Sequence, residues 1–122
     1  MCKLVAIENS KHEKINVADI KKDYILNIIK SCSLCEKIQK VILFGSSIGS
    51  HCREESDIDV AVFGSDTKGK IFKSKKYRAF VDAICSFGDM QDYDILYFDN
   101  NKTKSNTIMN DISKGALLYE RG

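Results

Sequence analysis

Asp57-Ile-Asp-Val-Ala-Val-Phe63 most constrains this chain: acids and apolar residues alternate at the two-residue period of a strand. Ile58, Val60 and Val62 face one way, into a core. Asp57 and Asp59 face the other, with Cα atoms about 6–7 Å apart. A second strand is predicted just upstream, where Val41-Ile-Leu-Phe44 forms a short apolar run bounded by Lys40 and Gly45. Gly45-Ser46 follows that strand directly, where glycine lets the backbone turn sharply and approach a ligand closely. Free N–H groups in the ensuing turn suit a phosphate, and Ser46 and Ser47 add hydroxyl donors. The Gly-Lys-Ser/Thr ending of a Walker A loop is missing.

Two neighbouring carboxylates repel one another unless a cation bridges them, and hard oxygen donors suit Mg²⁺. A third acid is expected from the strand predicted at Tyr93–Phe98. Asp94 sits there among Tyr93, Ile95 and Leu96, where a charge needs a reason. Asp92 and Asp99 are its rivals at the strand's margins, and Asp94 is favoured. Three carboxylates around one point make a site for two metal ions, which clamp the attacking and leaving oxygens of a phosphoryl transfer.

The remaining elements follow from helical spacing. Asn16 is read as the cap of a helix with Asp19 in its first turn and Ile20, Tyr24, Ile25, Ile28, Ile29 and Cys32 inward. Residues 1–15 are read as loosely held. A second helix is predicted over 73–87, ended by Gly88, and a last one from a Ser105 cap through Lys114, ended by Gly115. Ala116–Tyr119 reads as a short strand or docking tail. The expected fold class is α/β (α+β): a small mixed sheet flanked by helices, in a single domain over 1–122.

Composition narrows the function. At 122 residues there is room for one core and no separate substrate domain. Nineteen basic against seventeen acidic side chains leave +2, which excludes a generally basic nucleic-acid binder. Lys68, Lys70, Lys73, Lys75, Lys76 and Arg78 nevertheless cluster without an acid among them. They read first as a solvated helix face, and alternatively as an anion or RNA contact. No apolar run is long enough to span a membrane. Five cysteines without an export signal argue for a reducing, cytoplasmic setting, and Cys32-Ser-Leu-Cys35 reads as structural thiols.

Gly45-Ser46, ten residues, then Asp57-Ile-Asp59 resembles the Gly-Ser-x10-Asp-x-Asp signature of the polymerase-beta nucleotidyltransferase superfamily. The short chain is most similar to its minimal nucleotidyltransferases, the MNT group. Leu43-Phe-Gly-Ser46, Ser56-Asp-Ile-Asp59 and the closing Lys-Gly-x-x-x-Tyr-Glu of Lys114–Glu120 match the family's pattern. Ser47 stands where the family often has Arg, and Gly49 falls one position early, with Ser50 in the usual place of glycine. Arg53 is retained where a basic residue is common.

The resemblance implies a polymerase-beta-like fold and transfer of a nucleoside monophosphate from an NTP, ATP in the leading case, to a hydroxyl. Asp57 and Asp59 would bind two Mg²⁺ ions; Asp94 would bind the catalytic ion and help deprotonate the acceptor. Gly45, Ser46, Ser47 and Arg53 would contact the nucleotide. It further implies a type VII-like antitoxin that transfers AMP to a tyrosine of a partner HEPN toxin. The alternatives are an antitoxin that sequesters its toxin without catalysis, and a transferase acting on RNA or a small molecule.

Overall fold

A computed structural model describes residues 3–49, 52–88, 91–100, 110 and 112–121 of the chain. An N-terminal hairpin, β1 (Leu4–Glu8) and β2 (Lys14–Ala18), leads through a 3-10 turn at Asp19–Lys21 into α1 (Lys22–Ser31). Then come β3 (Ile38–Phe44), β4 (Ile58–Gly64), α2 (Lys68–Lys73), α3 (Lys75–Cys85), β5 (Tyr93–Asp99) and β6 (Ala116–Glu120). Four strands form one sheet in the order β5-β4-β3-β6. β3 runs antiparallel to β4 and to β6, whereas β4 and β5 are parallel. Parallel neighbours need a crossover, and α2 and α3 supply it.

Strand alternation sorts the sheet's two faces. Val41, Leu43, Ile58, Val60, Val62 and Tyr97 pack with Ile25 and Ile28 of α1 and with Tyr77, Phe80 and Ile84 of α3 in the main core. On the opposite face Phe44, Ala61 and Phe63 form a smaller cluster with Ile112, joined by Ile42, Leu96 and Phe98. Each fully buried aliphatic or aromatic side chain contributes about 1.5–3 kcal/mol, so the main core dominates stability. Cys32 and Cys35 are buried in it. Burial pushes the Cys32 thiol up to about 12, as a structural thiol requires.

Three sequence expectations need correction. Residues 3–15 are not loosely held, since β1 and β2 pair antiparallel from Leu4↔Ala18 to Glu8↔Lys14. Asn16 is therefore not a helix cap: it lies in β2 opposite Ala6. Ile15 and Val17 pack on the core while Lys14 and Asn16 face solvent, a two-residue alternation that outweighs the helical spacing read across it. The helix predicted over 73–87 is present as α3, and α2 is a separate short helix just before it. Ser74 ends α2 in an extended conformation and caps α3, its hydroxyl accepting from Tyr77 N. Ile20, expected inward, is exposed. Most of the helix expected from Ser105, with Ile108 and Met109, lies outside the described residues.

The hairpin's turn docks on β6. Ser10 N donates to Leu118 O at 3.1 Å, Glu120 N donates to Ser10 Oγ, and Asn9 Nδ2 donates to Leu117 O. Among the described residues no helix is long and apolar enough to cross a membrane.

Candidate active site

The site begins where β3 ends. Gly45 takes φ +78°, the left-handed region that favours glycine, and opens a 3-10 turn over Gly45–Ile48. Phe44 stands opposite Asp59 in the β3–β4 ladder, so the turn passes directly over that acid. A Cβ on Gly45 would lie 2.3 Å from Asp59 Oδ2. Glycine is thus required twice, by its backbone angle and by the carboxylate against it.

Across the sheet, Asp59 pairs with Asp94 in the parallel β4–β5 register. Both fall on the face that carries Phe44 and Ala61, opposite the Ile58–Val60–Val62 face, as the alternation predicts. Asp57 stands just before β4, two residues from Asp59. The Asp59 carboxyl is held above its ordinary value, first by burial, then by the charge of Asp94, then by that of Asp57. All three acids therefore share one electrostatic field. Asp99 stands opposite Gly64 at the far end of β5, and Asp92 precedes the strand, its carbonyl accepting from Ile58 N at 3.0 Å.

Among the described residues no group of three or more Asp, Glu, His or Cys side chains is placed so that it could hold a metal ion. The donor chemistry nevertheless fits a hard divalent ion. Three carboxylates hold one another apart, and a cation between them turns that repulsion into attraction.

Of the two hydroxyls the sequence assigns to a nucleotide, only Ser46 retains solvent exposure. Ser47 is fully buried and, among the described residues, its Oγ has no hydrogen-bond partner. Arg53 is exposed, 4.0 Å from Glu55. It opens a tight turn in which Ser56 N donates to Arg53 O and Arg53 N donates to Ser56 Oγ, both at 3.0 Å.

Lys21 is absent from the sequence-based list. It is 1% exposed, and its ammonium donates to Glu54 O and Ser56 O, both at 2.8 Å, and to Gln91 Oε1. Gln91 Nε2 in turn donates to Ser56 O and Asp92 O. A lysine at a helix start reads as solvated, and acceptors that are mostly backbone carbonyls leave no sequence signature.

Within the basic cluster, Lys76 is remote from the acids, whereas Arg78 lines a cavity with Ile95, the neighbour of Asp94. Lys76 pairs with Glu36 at 2.9 Å, just before β3, and Ile38 stands opposite Gly64. That is the end of β4 away from Asp59, roughly 17 Å along the strand.

A glycine turn leaving one strand, with acids at the next two, defines a class of site whose donors suit a phosphate and a hard divalent ion. Comparison with protein families narrows the class: the model described as Polymerase beta, Nucleotidyltransferase matches residues 26–122, and the chain belongs to that family. Among solved structures, the chain is similar to one in the complex of a tri-AMPylated Shewanella oneidensis HEPN toxin with MNT antitoxin. The two share 23% identity at a TM-score of 0.51, over 83% of this chain and 73% of that one, a likeness of fold. Comparison with curated proteins returns no match.

Proposed function

We propose that this nucleotidyltransferase moves AMP from ATP to a hydroxyl on a partner protein, a tyrosine of a HEPN toxin, and so acts as an antitoxin. The observation that carries the reading is the register that sets Asp94 beside Asp59, with Asp57 two residues before it and the Gly45 turn against the Asp59 carboxylate. The AMPylated HEPN toxin in the complex of similar fold supports the choice of group and partner.

Two bound Mg²⁺ ions would neutralise the charge on the triphosphate and on the departing pyrophosphate. Asp57 and Asp59 would hold them, with Asp94 the third ligand. The acceptor oxygen attacks the α-phosphorus, the bond to the β-phosphate oxygen breaks, and pyrophosphate leaves. Asp94, the more exposed of the two paired strand acids, helps take the acceptor's proton. Gly45 and Ser46 would line the β- and γ-phosphates, and Arg53 would add positive charge at the rim. Ser47, buried behind the turn, supports it from within.

The test incubates the protein with labelled ATP, Mg²⁺ and the product of the adjacent reading frame, assayed as the HEPN partner. Label on a HEPN tyrosine that disappears in Asp57→Asn/Asp59→Asn is the expected result. Tight association without label refutes transfer in favour of a sequestering antitoxin, and label on RNA refutes the protein acceptor.

A further inference from the structure

We infer that Lys21 is a positioning residue for the carboxylate site, holding Asp57 in place through the backbone just before it; the inference rests on the metal-binding reading above. The sheet itself fixes Asp59 and Asp94, because both lie inside the β4–β5 ladder. Asp57 does not share that support. The ladder begins at Ile58↔Tyr93, one residue after it. Something else must set where residues 53–57 enter the site.

The Lys21 ammonium does so. It carries three N–H donors, and all three are used, on Glu54 O, Ser56 O and Gln91 Oε1. Ser56 O is the carbonyl immediately before Asp57. Gln91 links the same carbonyl to Asp92 O, and Asp92 O receives Ile58 N. One buried cation therefore ties the segment entering β4, which carries Asp57, to the segment entering β5, which leads to Asp94.

Its burial sharpens the point. A lysine almost fully removed from water is costly unless fully hydrogen-bonded, and no carboxylate lies within ion-pair distance of it among the described residues. An apolar side chain would fill the space without desolvating a charge. What it could not do is bind two carbonyls of a loop that has no ladder of its own. Groups that orient metal ligands affect affinity by about 10- to 100-fold, without touching the ion.

Manganese, titrated by calorimetry into the full-length protein, is the probe. Lys21→Met is expected to weaken Mn²⁺ binding by about 10- to 100-fold. It should also speed amide hydrogen exchange at Ser56 and Ile58. Gln91→Leu, which removes one acceptor and the second link to Ser56, should shift both readouts the same way by less, and it decides the matter if Lys21→Met fails to fold. Tyr97→Phe is the control. It deletes a 2.7 Å hydrogen bond to Asp66 O at the far end of the sheet and should leave Mn²⁺ affinity unchanged. Wild-type affinity in folded Lys21→Met, or an equal loss in Tyr97→Phe, overturns the inference. A wild-type protein that takes up no Mn²⁺ overturns instead the metal-binding reading on which it rests.

Discussion

Gly45→Ala perturbs the site at its tightest point, and its cost separates into two parts. Gly45 and Gly88 both hold left-handed angles, +78° and +70°, so alanine at either position pays the backbone penalty of about 1–2 kcal/mol. For a chain of this size that lowers the unfolding midpoint by about 4–8 °C. Only at Gly45 does the new methyl meet a site residue. It would stand 2.3 Å from Asp59 Oδ2, where ordinary contact begins at 3.4 Å, so the carboxylate must retreat by about 1 Å. At Gly88 the methyl meets Tyr24 Cε1 at 2.9 Å, on the helical side of the molecule. A displacement of about 1 Å at a reacting centre costs up to about 100-fold. Gly45→Ala should therefore weaken binding of the Mn²⁺–ATP complex by about 10- to 100-fold, and Gly88→Ala should leave it unchanged at a similar loss of stability. Calorimetric titration beside thermal unfolding of both variants measures the two effects. Equal affinities would show that the glycine serves the turn alone and that Asp59 is not held against it.

Three further outcomes are expected. Because Asp59 ionises at higher pH folded than unfolded, its charge destabilises the fold: the deficit is absent below the ordinary value of 3.8, grows through the raised folded value and is complete above it. Asp59→Asn should thus gain stability over wild type in urea unfolding as pH rises from 4 to 7, while losing transfer activity; a gap that does not widen with pH would refute this. Native alkylation should label exposed Cys85 and spare Cys32, whose buried thiol stays protonated; mass spectrometry showing Cys32 modified before unfolding would contradict its place in the core. Charge reversal at Lys76 should leave Mn²⁺ affinity unchanged, because its side chain pairs with Glu36 at the other end of β4 from the acids, and a loss in calorimetric titration would refute that placement.

What could be read in advance was what repeats along one strand or one helix. β4 and the facing of its acids follow from a two-residue alternation. Asp94 followed from the oddity of a charge inside an apolar strand. The hairpin was missed because β1 and β2 are five residues each, β1 carries Leu4 and Ala6 on its outer side so that no alternation marks it, and Asn16 could be read as the cap of the helix that follows. The helix α2 was missed because six residues are too few for helical periodicity to show. Lys21 was out of reach for a different reason. Its surroundings are assembled from residues 33, 35 and 70 positions away, and two of its three acceptors are carbonyls that every residue possesses.

The docking of the hairpin turn on β6 bears on where this chain can be cut. The family match begins at residue 26, and the hairpin lies wholly before it. Yet Asn9 and Ser10 occupy backbone groups of Leu117, Leu118 and Glu120 that would otherwise form a bare strand edge. Unpaired edges recruit further strands and seed aggregation. A fragment trimmed to the family's boundary would keep the three acids and the glycine turn, but it would lose Lys21 and leave the outer side of β6 uncovered.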